Sequence, residues 1–143
     1  MQARQQAPLP AKFTHDSGFP RLRLQAFVAV RDAERRILCL KSQGGWMLPG
    51  VLLVANESPD DAARRAVATF LRTPLQLWLS EALNFPATGP EDDKWYLVLL
   101  YEADAPASLA TAPGIEETRF VKPGEAPGPW AMSHQDIFDR LGA

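Results

Sequence analysis

Residues 46–73, WMLPGVLLVANESPDDAARRAVATFLRT, hold a tight turn, a short apolar run and the most clearly marked helix start in the chain. Leu48-Pro49-Gly50 reads as a rigid Pro-Gly turn. It leads into Val51-Leu52-Leu53-Val54, which is expected to be a short buried strand. Ser58 is a natural N-cap, Pro59 suits the first helical position, and Asp61 stands where a capping-box carboxylate reaches back. Asp60 and Asp61 also favour the positive end of the helix dipole. Beyond the cap, Ala63, Val67, Phe70 and Leu71 form an apolar stripe suited to packing on a sheet, and Pro74 stops the helix near Arg72.

Upstream, Leu22, Leu24, Ala26, Val28 and Val30 alternate with Arg23, Gln25, Phe27 and Ala29, the pattern of a strand with one apolar face. Asp32 to Arg35 is a polar connection, and Arg36 to Lys41 is a second β-rich run, so the two are expected to pair as a hairpin. Gly44-Gly45 breaks the chain. Downstream, Leu75 to Leu83 and Lys94 to Ala103 are β-rich runs separated by the loop of residues 86–93, and Thr118 to Val121 is a shorter one. Ser133 to Leu141 closes the chain as a helix, with Ser133 and Asp136 as its capping pair. This order predicts an α/β fold in which a mixed sheet is sandwiched between helices.

With 143 residues, 46% hydrophobic and 22% charged, the chain suits one ordinary globular domain over 19–143, behind a polar arm over 1–18. That arm contains no apolar signal segment, and no stretch has the length of a membrane span, so a cytoplasmic location and no membrane partner are expected. The formal charge of −2 gives no overall positive field, so nucleic acid is not an expected partner and any phosphate binding must be local. Cys39 is the only cysteine, which excludes an internal disulfide; it reads as a small buried hydrophobe.

Residues 46–73 resemble the Nudix box, G-x5-E-x7-R-E-U-x-E-E-x-G-U with U aliphatic, behind its usual W-x-L-P-G lead. The lead is intact as Trp46 to Gly50. With Val51 in the place of the box glycine, Glu57 and Arg65 keep the E-x7-R spacing and Val67 takes the aliphatic position. Ala66, Thr69 and Phe70 stand where the family pattern has glutamates, and Arg72 replaces the later glycine. Carboxylates at those three places would share one helix face and hold divalent ions against a pyrophosphate. The resemblance therefore implies a Nudix-like fold for nucleoside-diphosphate-linked compounds. Mg²⁺ or Mn²⁺ is the family norm, but their ligands are missing here, so no cofactor is expected.

Two functions stay open. One is a hydrolase that is weak or inactive as a conventional Mg²⁺-dependent enzyme, with Glu57, Arg65 and Glu117 as candidate catalytic residues. Glu117, with Glu116, lies where several relatives place a general base, and Glu91-Asp92-Asp93 would be a replacement metal site or a plain acidic turn. Glu57 and Arg65 also read as a purely structural brace between loop and helix. The other function is a non-catalytic binding or regulatory module for a small phosphorylated molecule, a nucleotide or a sugar phosphate. It would use Arg21, Arg23, Arg64 or Arg119 for charge and Trp46 or Trp95 for stacking. His15 and His134 receive no catalytic role, and dimers being common among relatives leaves a homodimer open.

Overall fold

The structure, a computed structural model, describes residues 21–85, 94–125, 127–131 and 134–141. The expected arm over 1–18, the acidic turn at 91–93 and the Ser133 cap lie outside the described residues. Strands β1 (Arg21–Arg31), β2 (Ile37–Ser42), β3 (Gly45–Met47) and β4 (Gly50–Leu52) precede helix α1 (Pro59–Phe70). Strands β5 (Trp78–Phe85), β6 (Lys94–Asp104) and β7 (Glu117–Val121) and helix α2 (His134–Leu141) follow.

The seven strands form one mixed sheet in the order β3-β2-β1-β6-β5, with β4 paired to β1 and β7 to β2. β1 and β6 run parallel along their whole length, from Arg21↔Lys94 to Arg31↔Asp104. A parallel pair needs a crossover, and α1 lies on it. Successive β1 side chains fall into different cores. Ala26, Val28 and Val30 join Leu38, Leu40, Tyr101 and the α1 residues Ala62, Ala63, Ala66 and Val67. Phe27 and Ala29 join Ile37, Cys39, Leu83, Val98, Leu100 and the α2 residues Ile137 and Phe138 on the other face.

This corrects the one-faced reading of β1. Its second half is buried on both faces, as a parallel strand covered by helices on each side should be. Its first half is open, with Leu22 60% and Leu24 36% exposed. The expected hairpin forms, with β1 and β2 antiparallel neighbours, but it is short. The turn after β1 closes on Asp32, whose Oδ1 accepts from Glu34 N at 3.0 Å and Arg36 N at 2.8 Å. Yet only Arg31↔Ile37 pairs across it. β4 occupies β1 at Gln25 to Phe27, and β2 pairs instead with β3 and β7.

Ser58 caps α1 as expected, accepting from Asp61 N at 3.1 Å, with Pro59 in the first turn. The helix ends at Phe70, and Leu71 is the extended C-cap. The run Val51 to Val54 is not a buried strand: only Gly50–Leu52 pairs, and Leu52 and Val54 are exposed. β5 begins at Trp78, three residues later than its pattern, because Leu75 and Leu77 pack against the α1-side core before pairing starts.

Candidate functional site

The Trp46 to Gly50 segment is held from three directions. Val28 N donates to Pro49 O at 2.9 Å, tying the turn to β1. Trp46 N donates to Pro129 O at 2.9 Å, and Ala131 N to Trp46 O at 2.8 Å, adding the 129–131 segment beside β3. Leu48 N donates to His134 Nδ1 at 3.0 Å, joining the turn to the start of α2. The imidazole stands edge-on to Phe27 at 4.8 Å, and burial pushes its pKa down to about 4. At Gly50 an added Cβ would sit 2.5 Å from the Phe27 ring, so glycine is required by close approach.

From this turn the chain reaches Glu57 and α1. Arg65 Nε donates to Glu57 Oε2 at 2.8 Å, and Arg65 Nη2 reaches Glu57 Oε1 at 3.0 Å and Leu52 O at 2.6 Å. Val54 N donates to Glu57 Oε1 at 3.0 Å. The Arg65 hydrogen bond, then the Val54 N–H, pull the Glu57 carboxyl down to about 2. Both carboxylate oxygens and two guanidinium nitrogens, Nε and Nη2, are thus spent on fixing the loop to the helix, a bidentate brace.

The three helix positions that bear glutamates in the Nudix pattern offer no ligand set. Ala66 is fully buried. Thr69 is exposed, and its hydroxyl donates back to Arg65 O at 2.7 Å. Phe70 is half-buried and packs against the α1-side core, joined by Met47, Val51, Ile115 and Phe120. A hard divalent cation needs several oxygen donors in one place. A methyl group, a ring and one hydroxyl already hydrogen-bonded to the helix do not fit it. Among the described residues no group of three or more His, Cys, Asp or Glu side chains could hold a metal ion.

The segment bearing Glu116 and Glu117 is pinned between α1 and β2. Ala112 N donates to Phe70 O at 3.0 Å, and Glu116 N to Lys41 O at 2.8 Å. Glu117 is exposed and pairs with Arg119, two residues on, at 2.8 Å. Arg119 also lies over the Trp46 ring, 4.9 Å from its centroid. The structure therefore brings Trp46, Glu117 and Arg119 together, but Trp46 is only 4% exposed. Its ring belongs to the α2-side core and is not open for stacking, which corrects that expectation. Arg64 is paired with Asp61 at 2.7 Å. Arg21 is the first residue of β1, beside Lys94.

Arg23 has a different setting. Together with Leu22, Leu24 and residues 52–57 it lines a cavity of about 520 Å³ beside Glu57, and no carboxylate among the described residues pairs with it. Leu52 and Val54 add exposed apolar surface there, and Trp95, 39% exposed, is the β6 partner of Leu22. Two features were not foreseen from sequence: the His134 acceptor, and the hydrogen bond that Tyr101 Oη donates to Asp60 Oδ1. Each joins residues far apart in the chain, and no local pattern announces it.

No family model matches the chain, and no curated protein matches its sequence. Solved structures do. A MutT protein from Methanosarcina mazei Go1 superposes with a TM-score of 0.65 at 16% identity, over 85% of this chain and 94% of that one. The Nudix domain of Shewanella oneidensis NrtR, solved in complex with ADP-ribose, gives 0.62 at 13% identity over 85% and 87%. A MutT Nudix hydrolase from Burkholderia pseudomallei gives 0.62 at 19% identity over 86% and 99%. The mixed sheet between two helices, the braced loop ahead of α1 and these superpositions agree: the chain has the Nudix fold.

Proposed function

We propose that this protein is a Nudix-fold module that binds a small phosphorylated molecule, a nucleoside diphosphate or sugar phosphate derivative, without conventional metal-dependent hydrolysis. The observation that carries this reading is the α1 face at Ala66, Thr69 and Phe70, which is closed with a methyl group and a ring where divalent-ion chemistry needs carboxylates. Glu57 does not substitute, because both its oxygens are held by Arg65 and the Val54 N–H. Binding is assigned to the cavity beside Arg23. Its volume of about 520 Å³ is ordinary for a small-molecule site. Arg23 supplies charge at the cavity, and Leu52 and Val54, both exposed, supply apolar surface for a ring.

The test is a panel of nucleoside-diphosphate compounds and sugar phosphates, including ADP-ribose, the ligand named for the Shewanella domain. Each is assayed by thermal shift and calorimetry with and without Mg²⁺ or Mn²⁺, and products are resolved by chromatography. Saturable binding without turnover, weakened by Arg23→Gln, is the expected result. Metal-dependent turnover would overturn the non-catalytic reading in favour of a weak hydrolase, and absence of binding across the panel would overturn the module.

A further inference from the structure

A second cavity, of about 390 Å³, lies between α1 and the extended run that links it to β5. The α1 residues that line it, Arg64, Val67 and Ala68, follow i, i+3, i+4 spacing and so share one flank of the helix, and the extended C-cap Leu71 lines it beyond the helix end. At about 100° per residue, that flank is roughly 150° round the helix from Ala66, Thr69 and Phe70. The cavity is therefore separate from the face discussed above, and it does not depend on the proposed function.

Its floor is apolar. Val67 and Leu71 are buried, and Leu75 and Leu77 form the opposite wall. That wall is pinned in place: Arg72 N donates to Ala110 O at 2.8 Å, Ala110 N donates to Thr73 Oγ1 at 3.1 Å, and Pro74 follows with a fixed φ. A trough held in this way loses little further order when it is filled.

The charge at the rim selects the occupant. Arg64 is neutralised by Asp61 at 2.7 Å. Arg72 is exposed and donates only Nη1, to Ala68 O at 2.9 Å; no carboxylate among the described residues pairs with it. The Thr73 hydroxyl accepts from Ala110 N and keeps its own hydrogen to donate. One uncompensated guanidinium and one hydroxyl above an apolar trough match a singly charged head on an apolar body.

We propose that this cavity binds an amphipathic carboxylate, with its acyl or aromatic body along Val67, Leu71, Leu75 and Leu77 and its head on Arg72 and Thr73. Octanoate, octanol and octylammonium, titrated into the full chain by calorimetry and thermal shift, separate the contributions of head and body. Octanoate should bind saturably, octanol about tenfold or more weakly, as for the loss of one charge-assisted hydrogen bond, and octylammonium not at all. Arg72→Gln should weaken octanoate to the level of octanol and leave octanol unchanged. Ala68→Trp, at an exposed lining position, should fill the trough and abolish both while circular dichroism stays native. Equal affinity for octanoate and octanol, no saturable octanoate binding, or octanoate binding unchanged by Arg72→Gln would each overturn the assignment.

Discussion

Replacing His134 by Asn tests how the Trp46 to Gly50 turn is held. The amide oxygen of Asn can accept the Leu48 N–H as Nδ1 does, but it does not titrate. In the wild type, burial lowers the imidazole pKa from its ordinary 6.5 to about 4. The unfolded chain therefore takes up the proton first as pH falls. The sign follows directly: the stability His134 confers is complete above pH 6.5, is lost progressively toward pH 4, and changes little below that. At about 1.4 kcal/mol per pH unit, the loss over this window is about 3 kcal/mol. Urea unfolding of wild type and His134→Asn at several values from pH 7.5 to 4 reads the effect as a difference. The carboxylates that also titrate in this range are common to both proteins and cancel. The wild-type advantage should fall by about 3 kcal/mol on acidification, while His134→Ala, which strands the buried Leu48 N–H, should cost about 1–3 kcal/mol more than Asn near neutrality. A difference between wild type and Asn that stays flat with pH would refute the buried, neutral imidazole and with it this account of the turn.

The state of the α1 face can be checked by restoring single carboxylates. Thr69→Glu, at an exposed site, should change stability by no more than about 0.5 kcal/mol, whereas Ala66→Glu should cost about 3 kcal/mol or more, because its charge enters a filled core. If both were neutral by urea unfolding, and their combination with Phe70→Glu bound Mn²⁺ tightly by calorimetry, the face would be open rather than closed. Gly50→Ala should destabilise by about 1–3 kcal/mol through its clash with Phe27, and unchanged thermal unfolding would contradict that contact. Cys39, its thiol pushed up to about 12 by burial against a weaker opposing pull from Arg119, should resist a thiol-directed chromogenic disulfide in native buffer and react fully in urea. Rapid native labelling would show the site to be accessible.

What was legible in the sequence is what is encoded within one or two turns of chain. Ser58, Pro59 and Asp61 sit within four residues of each other and mark the start of α1 by their own chemistry, and Glu57 and Arg65 find each other across eight positions. The element order, once read, also predicts the mixed sheet between helices. What failed depends on partners that sequence does not name. The hairpin after Arg31 forms, but its shortness is not legible, because β4 takes β1 at Gln25 to Phe27 and β2 pairs mostly with β3 and β7. Phe27 and Ala29 read as the outer face of β1 until α2, more than a hundred residues later, covers them. His134 looks like an ordinary residue near a helix start, and its role as acceptor for Leu48 is visible only after folding.

The candidate site divides along the same line. That Ala66, Thr69 and Phe70 lack carboxylates is plain from the sequence, but a missing ligand set leaves two physical outcomes: an open cleft in which other acids could regroup, or a space filled by side chains. Ala66 at zero exposure and Phe70 on the core select the second outcome for this helix face. Trp46 illustrates the converse error, because an aromatic residue in the W-x-L-P-G lead suggests a stacking platform, yet it is buried beneath Arg119. Cations without a carboxylate partner remain away from the three glutamate positions of the pattern. Arg23 at one cavity and Arg72 at another each lack a carboxylate partner among the described residues beside apolar surface, so both proposed ligand sites lie away from the helix face at Ala66, Thr69 and Phe70.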